Sequence, residues 1–108
     1  MISNKKILEC PVATTINLIG NKWKLLIIRD LINGKKRFGE LRKSLSGISQ
    51  RVLTENLRDM EKDGLITRKV YAEVPPRVEY SLNETGLSLR PIITSMAEWG
   101  TKYKNGDF

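Results

Sequence analysis

Apolar residues recur at helical spacing in the first part of the chain, between a proline and a glycine. Proline suits the first position of a helix and glycine the position just past its end. A helix is therefore predicted over about residues 11–19, with Cys10 as its N-cap, and its apolar stripe is Val12, Ile16 and Ile19. A second helix, capped by Asn21, is predicted over about residues 22–33. It is apolar nearly all round, so we expect it to be the central buried helix.

The middle of the chain predicts two short amphipathic helices joined by a tight turn. The first carries an apolar stripe of Phe38, Leu41 and Leu45 and is interrupted at Ser46 and Gly47. In the second, which Ser49 caps and Gly64 ends, apolar residues follow at i, i+4 and i+7. These inward positions are Leu53, Leu57 and Met60. A second helix presented in this way is free to enter a DNA major groove.

Residues 65–71 and 77–82 are predicted to be strands, and the second alternates apolar and polar positions. Pro75 and Pro76 lie between them and cannot continue a ladder, because proline donates no backbone hydrogen bond. The two strands are therefore expected to form a hairpin with a stiff tip that projects beyond the core. We call this hairpin, residues 65–82, the wing.

A last helix is predicted after Asn83, with Pro91 either kinking it or marking its true start. Its apolar residues fall within about 120° of arc on a helical wheel. They are Leu89, Ile92, Ile93, Met96, Trp99 and Tyr103. The order of elements predicts an α+β fold, mainly α, namely a winged helix-turn-helix formed by residues 1–108 as a single domain.

The charge of the chain favours a polyanionic partner. Lys and Arg outnumber Asp and Glu by 19 to 12, a net +7, and the excess is uneven. Residues 1–72 hold 15 basic and 7 acidic residues, whereas residues 73–108 hold 4 and 5. Neutralising phosphates releases counterions, so double-stranded DNA is the expected partner. The alternative is a basic surface that serves only solubility.

Histidine is absent and Cys10 is the single cysteine. This composition argues against a zinc site, a histidine-dependent catalytic triad and an internal disulfide framework, so we expect no cofactor and no enzymatic activity. No apolar run approaches the ~20 residues that span a bilayer, and residues 1–6 lack the apolar region of a signal peptide. The sequence therefore predicts a cytoplasmic protein without a membrane partner.

The outward face of the second central helix carries side chains that can read bases. Its candidate contacts are Gln50, Arg51, Thr54, Glu55 and Arg58. Gln can pair with adenine, Arg with guanine and Glu with cytosine, while Thr can contact a thymine methyl group. The alternative is a solvated face held by ion pairs such as Glu55 with Arg58 and Arg58 with Glu61.

Residues around this helix offer contacts to the DNA backbone. Ser49 can cap the helix and still hold a phosphate beside its free amides. The other candidates for phosphate contacts are Lys35, Lys36, Arg37, Arg42 and Lys43, and in the wing Arg68 and Lys69. Arg77, beside the stiff tip, is predicted to enter a narrow minor groove.

The sequence resembles the HxlR-type transcriptional regulators, winged-helix proteins similar in fold to the MarR group. The motifs that carry the resemblance are Cys10-Pro11, Gly20-Asn21-Lys22-Trp23, Arg37-Phe38-Gly39-Glu40-Leu41-Arg42, Gly47-Ile48-Ser49-Gln50-Arg51-Val52-Leu53-Thr54, Leu57-Arg58, Asp63-Gly64-Leu65, Val74-Pro75-Pro76-Arg77-Val78-Glu79-Tyr80-Ser81-Leu82 and Glu98-Trp99-Gly100. They span nearly the whole chain. The resemblance implies a bacterial homodimer, a repressor or dual regulator, that places one recognition helix in each half of a near-palindromic operator. No residue pattern names a small-molecule effector.

The apolar stripes of the terminal helices are consistent with this homodimer. The predicted interface residues are Val12, Ile16, Ile19, Ile92, Met96, Trp99 and Tyr103. They exceed what one small core needs, although they could instead close the core of the monomer. The competing hypothesis for the whole chain is a winged-helix module whose basic face binds an acidic protein.

Cys10 matches a cysteine that senses oxidants or electrophiles in some HxlR-type regulators. A thiol at a helix N-cap, with Lys5 and Lys6 near in sequence, favours the thiolate. The alternative is a buried and inert cysteine, which is common for this residue type.

Overall fold

The computed structural model describes residues 10–108. The helices are α1 (Pro11–Ile19), α2 (Lys22–Leu31), α3 (Phe38–Ser44), α4 (Gln50–Lys62), α5 (Glu84–Leu87) and α6 (Arg90–Asn105), and the strands are β1 (Lys36–Arg37), β2 (Ile66–Tyr71) and β3 (Arg77–Leu82). The order of these elements is that of the predicted winged helix-turn-helix, with one more strand, β1, and one more short helix, α5, than the sequence indicated. Within residues 10–108, no helix is both long and apolar enough to cross a membrane.

The additional strand is β1, in a segment expected to be only a basic connection. Lys36 pairs with Tyr80 and Arg37 with Glu79, which gives an antiparallel sheet in the order β1-β3-β2. A strand of two residues has no periodicity to detect, so the sequence could not reveal it. Because Arg37 is also the N-cap of α3, the sheet fixes where the helix-turn-helix begins.

The core lies where α2 and α4 pack against each other, against α3 and against the sheet. Leu53, Leu57 and Met60 are 0–2% exposed, which confirms the predicted inward face of α4. The prediction for α2 was partly wrong, because only one side of the helix is fully buried and the helix ends at Leu31. The partly buried apolar residues of this segment are Trp23, Leu25, Leu26 and Ile32. Lys24 is among the buried residues, although it is charged.

Side-chain caps define three of the helix starts. Asn21 and Ser49 cap the helices predicted for them, whereas Asn83, predicted to cap the last helix, caps α5. Asn21 accepts hydrogen bonds from two amides of α2, Ser49 accepts one from Val52 at 3.1 Å, and Asn83 accepts one from Gly86 at 2.9 Å. Each bond satisfies an amide that has no partner inside its helix. Pro91 lies in the first turn of α6, after the separate short helix α5, so it marks a helix start and not a kink.

The turn between α3 and α4 depends on Gly47, whose φ is +89°. This backbone conformation is accessible to glycine without steric cost, whereas a Cβ makes it strained. Ile48 follows and is buried, with its amide donating to the Leu45 carbonyl at 3.0 Å. The turn is therefore anchored in the core, which fixes the angle at which α4 leaves it.

Candidate nucleic-acid interface

The outward face of α4 is open to solvent over its first two turns. Gln50, Arg51 and Glu55 are exposed, whereas Thr54 is half-buried and donates its hydroxyl to the Gln50 carbonyl at 2.8 Å. Thr54 therefore keeps only its methyl group and an oxygen lone pair for a ligand. The other side chains of this face can still donate and accept hydrogen bonds outward.

The ion pair on this face is Arg51 with Glu55, whose Nε and Oε2 atoms are 3.2 Å apart. Both side chains are largely exposed, so the pair has little effect on stability. The pairs considered from the sequence, Glu55 with Arg58 and Arg58 with Glu61, are not formed. Within residues 10–108, the guanidinium of Arg58 has no carboxylate partner.

A cleft of about 280 Å³ separates α4 from the wing. Its lining residues are Thr54, Leu57, Arg58, Glu61, Arg68 and Tyr80. Arg68 reaches this position because it is paired with Tyr80 across the hairpin. The guanidinium of Arg68, like that of Arg58, makes no ion pair with any described residue. Two arginines without an ion-pair partner, one from α4 and one from the wing, therefore border one cleft together with Glu61.

Arg77, predicted to enter a minor groove, has partners within the wing. Its guanidinium lies 3.9 Å from the centre of the Tyr71 ring and 3.1 Å from a carboxylate oxygen of Glu73, and its side chain is only 28% exposed. The cause is the hairpin register, which places Arg77 directly opposite Tyr71. Arg77 thus holds the end of the wing together and does not extend from it. The neighbouring Lys69 is exposed, with its Nζ 5.0 Å from the same ring centre.

The Glu79 carboxylate interacts with Lys35, Tyr71 and Arg77 in and beside the wing. Burial acts to raise its pKa, but the hydrogen bond from Tyr71 and the charges of Lys35 and Arg77 outweigh it, so the pKa lies below its ordinary value of 4.5. Lys35 contributes through an Nζ to Oε1 distance of 3.4 Å. Lys35 was predicted as a candidate phosphate contact, and in the structure it forms an ion pair with Glu79 of β3.

The remaining candidates for phosphate contacts surround the start of the helix-turn-helix. Arg37, Arg42 and Lys43 are exposed and make no ion pair with residues 10–108. Ser49 is exposed as well, and its Oγ accepts from Val52 as the cap requires. The helix-turn-helix therefore presents several unneutralised cations outside the cleft.

Sequence reasoning missed a set of polar contacts between α2 and α4. Asn21 donates to the Asn56 side chain at 3.0 Å, and Lys24 donates to Asp59 at 2.5 Å. Lys24 and Asn56 are 6% and 7% exposed. The partners are 35 residues apart, so no local pattern identifies them. The only signal is that Asn56 directly precedes Leu57 of the apolar stripe.

Both terminal helices, α1 and α6, expose apolar side chains. These side chains and their exposed fractions are Val12 68%, Ile16 60%, Ile92 38%, Met96 49%, Trp99 58% and Tyr103 66%. Ile19, predicted to belong to the dimer interface, must be removed from it because it is 4% exposed and lies in the core of the protomer. Phe108 joins the exposed side chains of α6, with its ring centre 5.2 Å from that of Trp99.

Cys10 is exposed and lies at the N-cap of α1, as expected, although its side chain makes no capping hydrogen bond. Its exposure argues against the alternative of a buried, inert thiol. Lys5 and Lys6, expected near it, lie outside the described residues. Among residues 10–108, no group of three or more metal-ligating side chains is close enough to hold an ion.

A helix-turn-helix followed by a wing, with a basic cleft between them, defines a DNA-binding protein of the winged-helix class. The model of the HxlR-like helix-turn-helix family matches residues 18–108. The chain belongs to this family, and it is a transcriptional regulator of the helix-turn-helix type.

Relatives and solved structures agree with this assignment. YdeP, an HTH-type transcriptional regulator of Bacillus subtilis, is 55% identical over 96 residues, which cover 89% of this chain and 75% of YdeP. The redox regulator HypR in its oxidised form has a TM-score of 0.82 at 50% identity, covering 86% of this chain and 96% of the HypR chain. The reduced form of the transcriptional regulator YodB from B. subtilis has a TM-score of 0.75 at 34% identity, covering 89% of this chain and 95% of that chain.

Proposed function

We propose that the protein is a homodimeric, sequence-specific regulator that binds a near-palindromic operator with one α4 in each major-groove half-site. The observation that carries this proposal is the cleft that Arg58 of α4 and Arg68 of the wing line together with Glu61, in which neither arginine forms an ion pair with a described residue. DNA phosphates entering this cleft would supply the negative charge that these two arginines lack. With the backbone held there, the first turns of α4 face the base edges.

Gln50, Arg51 and Glu55 are the proposed base-reading residues, because they are exposed on the turns that reach deepest into the groove. Thr54 supplies a methyl group beside them. Arg58, which borders the cleft, is better placed for a phosphate than for a base. The proposed backbone contacts are Arg37, Arg42, Ser49, Arg58, Arg68 and Lys69.

The test uses an operator selected by the wild-type protein from a pool of randomised duplexes. Arg51→Ala should cost roughly 1–3 kcal/mol on this operator and little on random DNA, as expected for loss of a base contact. Arg29→Ala, which removes an equally charged side chain paired with Asp30 on α2, is the control and should leave operator preference unchanged.

Two other outcomes would change the proposal. A uniform loss across all sequences would make Arg51 a phosphate contact. Failure of the wild type to enrich any sequence, with binding at the level of random DNA throughout, would instead favour a module that uses its basic face to bind an acidic protein.

The homodimer is supported by the exposed apolar surface of α1 and α6. An aromatic cluster of Trp99, Tyr103 and Phe108 lies on it, with Trp99 and Tyr103 stacked at 5.3 Å. Exposed apolar patches of this kind mark protein interfaces in small proteins. A second copy of the chain fits best, because two-fold symmetry would also present two copies of α4 to two half-sites.

Regulation through Cys10 is supported by the exposure of its thiol and by the similarity to HypR, a redox regulator. With a single cysteine in the sequence, the proposed oxidised form is a disulfide with Cys10 of a second subunit or with a small thiol, whereas an electrophile would give a covalent adduct without oxidation. With diamide as oxidant, the two thiol hydrogens and two electrons pass to its N=N bond as the disulfide forms.

Diamide should weaken operator binding by the wild type and have no effect on Cys10→Ser. Non-reducing mass spectrometry of the same samples identifies the product. Equal loss of binding in both proteins would exclude Cys10 as the sensor, while leaving DNA recognition unaffected.

A further inference from the structure

Two polar side-chain contacts connect the first turn of α2 to one flank of α4. The amide of Asn21 donates to Oδ1 of Asn56 at 3.0 Å, and Nζ of Lys24 donates to Asp59 at 2.5 Å. We call these four residues the latch. Asn21 also accepts from the amides of Trp23 and Lys24, so the same side chain caps α2 and contacts α4.

Two of the four latch residues, Lys24 and Asn56, are buried, whereas Asn21 is exposed and the Asp59 side chain is 43% exposed. Lys24 is 6% and Asn56 is 7% exposed, and the Asn56 amide also donates to the Val52 carbonyl at 2.8 Å. Both ends of the Asn56 side chain are therefore used, which fixes its orientation. Burying an ammonium group has a desolvation cost that a well-packed apolar residue would avoid. Stability alone thus gives no reason for Lys24 at this position.

The latch lies on the flank of α4 opposite the wing. At 100° per residue, Asn56 and Asp59 lie on one side of the inward stripe, whereas Thr54 and Arg58 lie on the other, at the cleft. Arg51 and Glu55 face outward between these flanks. Any rotation of α4 about its own axis therefore moves the base-reading residues and stretches the latch at the same time.

The apolar contacts of α4 cannot fix this rotation as tightly. Hydrophobic contact is non-directional, whereas a hydrogen bond weakens steeply with angle and distance. A roll of about 20° moves an atom 5–6 Å from the helix axis by roughly 2 Å, enough to break a hydrogen bond to a base. The two contacts, one helical turn apart on α4, hold both its roll and its axial position.

We propose that Asn21, Lys24 and Asn56 are positioning residues that set the roll of α4 and thereby determine operator specificity. This inference rests on the proposed sequence-specific binding. These residues do not touch DNA; they act by holding Gln50, Arg51 and Glu55 in register with the bases. Loss of the latch should therefore reduce discrimination between sequences more than it reduces stability or the affinity for random DNA.

The main test is the double variant Lys24→Met/Asn56→Leu, which replaces the buried polar groups by apolar groups of similar size. Asp59 remains accessible to water in this variant, because its side chain is 43% exposed. Lys62→Met, an exposed position of α4, removes the same charge and is the matched control. Affinities for the selected operator and for random duplex are measured by fluorescence anisotropy at one salt concentration, with urea unfolding of each protein.

The double variant should lose about tenfold in the ratio of operator to random-DNA affinity, comparable with the loss of one good base contact. Its affinity for random DNA should equal that of Lys62→Met, and its urea midpoint should not fall. The second variant is Asn21→Ser. The serine hydroxyl can still cap α2, but serine lacks the side-chain NH2 group that donates to Asn56. This variant should change the ratio in the same direction.

An unchanged ratio in both variants would overturn the inference. The inference would also be overturned if the ratio of operator to random-DNA affinity fell only where Asn21→Ser also lowered the urea midpoint. The latch would then contribute to stability alone. A wild type that selects no operator would refute the proposed function itself. If instead the wild type and the latch variants prefer the operator over random DNA equally well, only the role of the latch is refuted.

Discussion

Arg51 and Glu55 pair across one turn of α4, with Nε 3.2 Å from Oε2, on the face that we place in the major groove. In this position Glu55 both orients Arg51 and places a negative charge near the phosphates. Glu55→Gln should therefore raise the affinity for random DNA and lower the preference for the operator. The free energy of unfolding should change by no more than about 0.5 kcal/mol, because both side chains are exposed.

Anisotropy titrations on both duplexes and urea unfolding measure these effects. Glu98→Gln, on the exposed surface of α6, is the control for a general change in net charge. If random-DNA affinity rises equally in both variants, the outward face of α4 does not face phosphates.

Arg58 and Arg68 should act as a pair in holding the DNA backbone. Each contacted phosphate contributes about 0.9 to the slope of log K against log salt, so Arg58→Ala and Arg68→Ala should each reduce this slope by roughly 1. The reduction should be the same on operator and on random DNA. Arg29→Ala should leave the slope unchanged. A loss confined to the operator would make Arg58 a base contact instead.

Regular elements of this fold could be predicted because their signals are local. The stripe of Leu53, Leu57 and Met60 follows the helical period, so the inward face of α4 was predicted correctly. Asn21 and Ser49 are residue types that cap helices, so the starts of α2 and α4 were predicted correctly as well. The wing was found because its second strand alternates and prolines interrupt the hairpin.

Features that depend on distant partners could not be predicted. The burial of Lys24 is decided by Asp59, which lies 35 residues away, and the two-residue strand β1 exists only because β3 is beside it. The position of Arg77 beside the tip predicts an extended guanidinium, but the strand register places this residue opposite Tyr71. Ile19 lies on the predicted apolar stripe of α1 yet faces inward, since the sequence does not fix the rotation of α1 on the core.

Glu79 should make the stability of the wing pH-dependent. Its pKa in the folded protein lies below the ordinary 4.5, so its contribution is present above pH 4.5 and is lost as the pH falls through the folded value. Glu79→Gln should therefore lose less stability than the wild type on acidification below pH 4.5. Urea unfolding at a series of pH values measures this difference. The control is Glu98→Gln, and a Glu79→Gln profile parallel to that of the wild type would contradict the prediction.

Trp99 and Thr101 lie on opposite sides of α6, which allows a matched test of the dimer. Trp99 is 58% exposed within the protomer, so Trp99→Glu should fold but place a charge in the proposed apolar interface. Sedimentation should show a monomer for Trp99→Glu and a dimer for the wild type and for Thr101→Glu, an exposed site away from the aromatic cluster. Because a monomer presents only one α4, operator affinity should fall toward that for a single half-site. A Trp99→Glu protein that remains dimeric would show that the subunits associate through another surface.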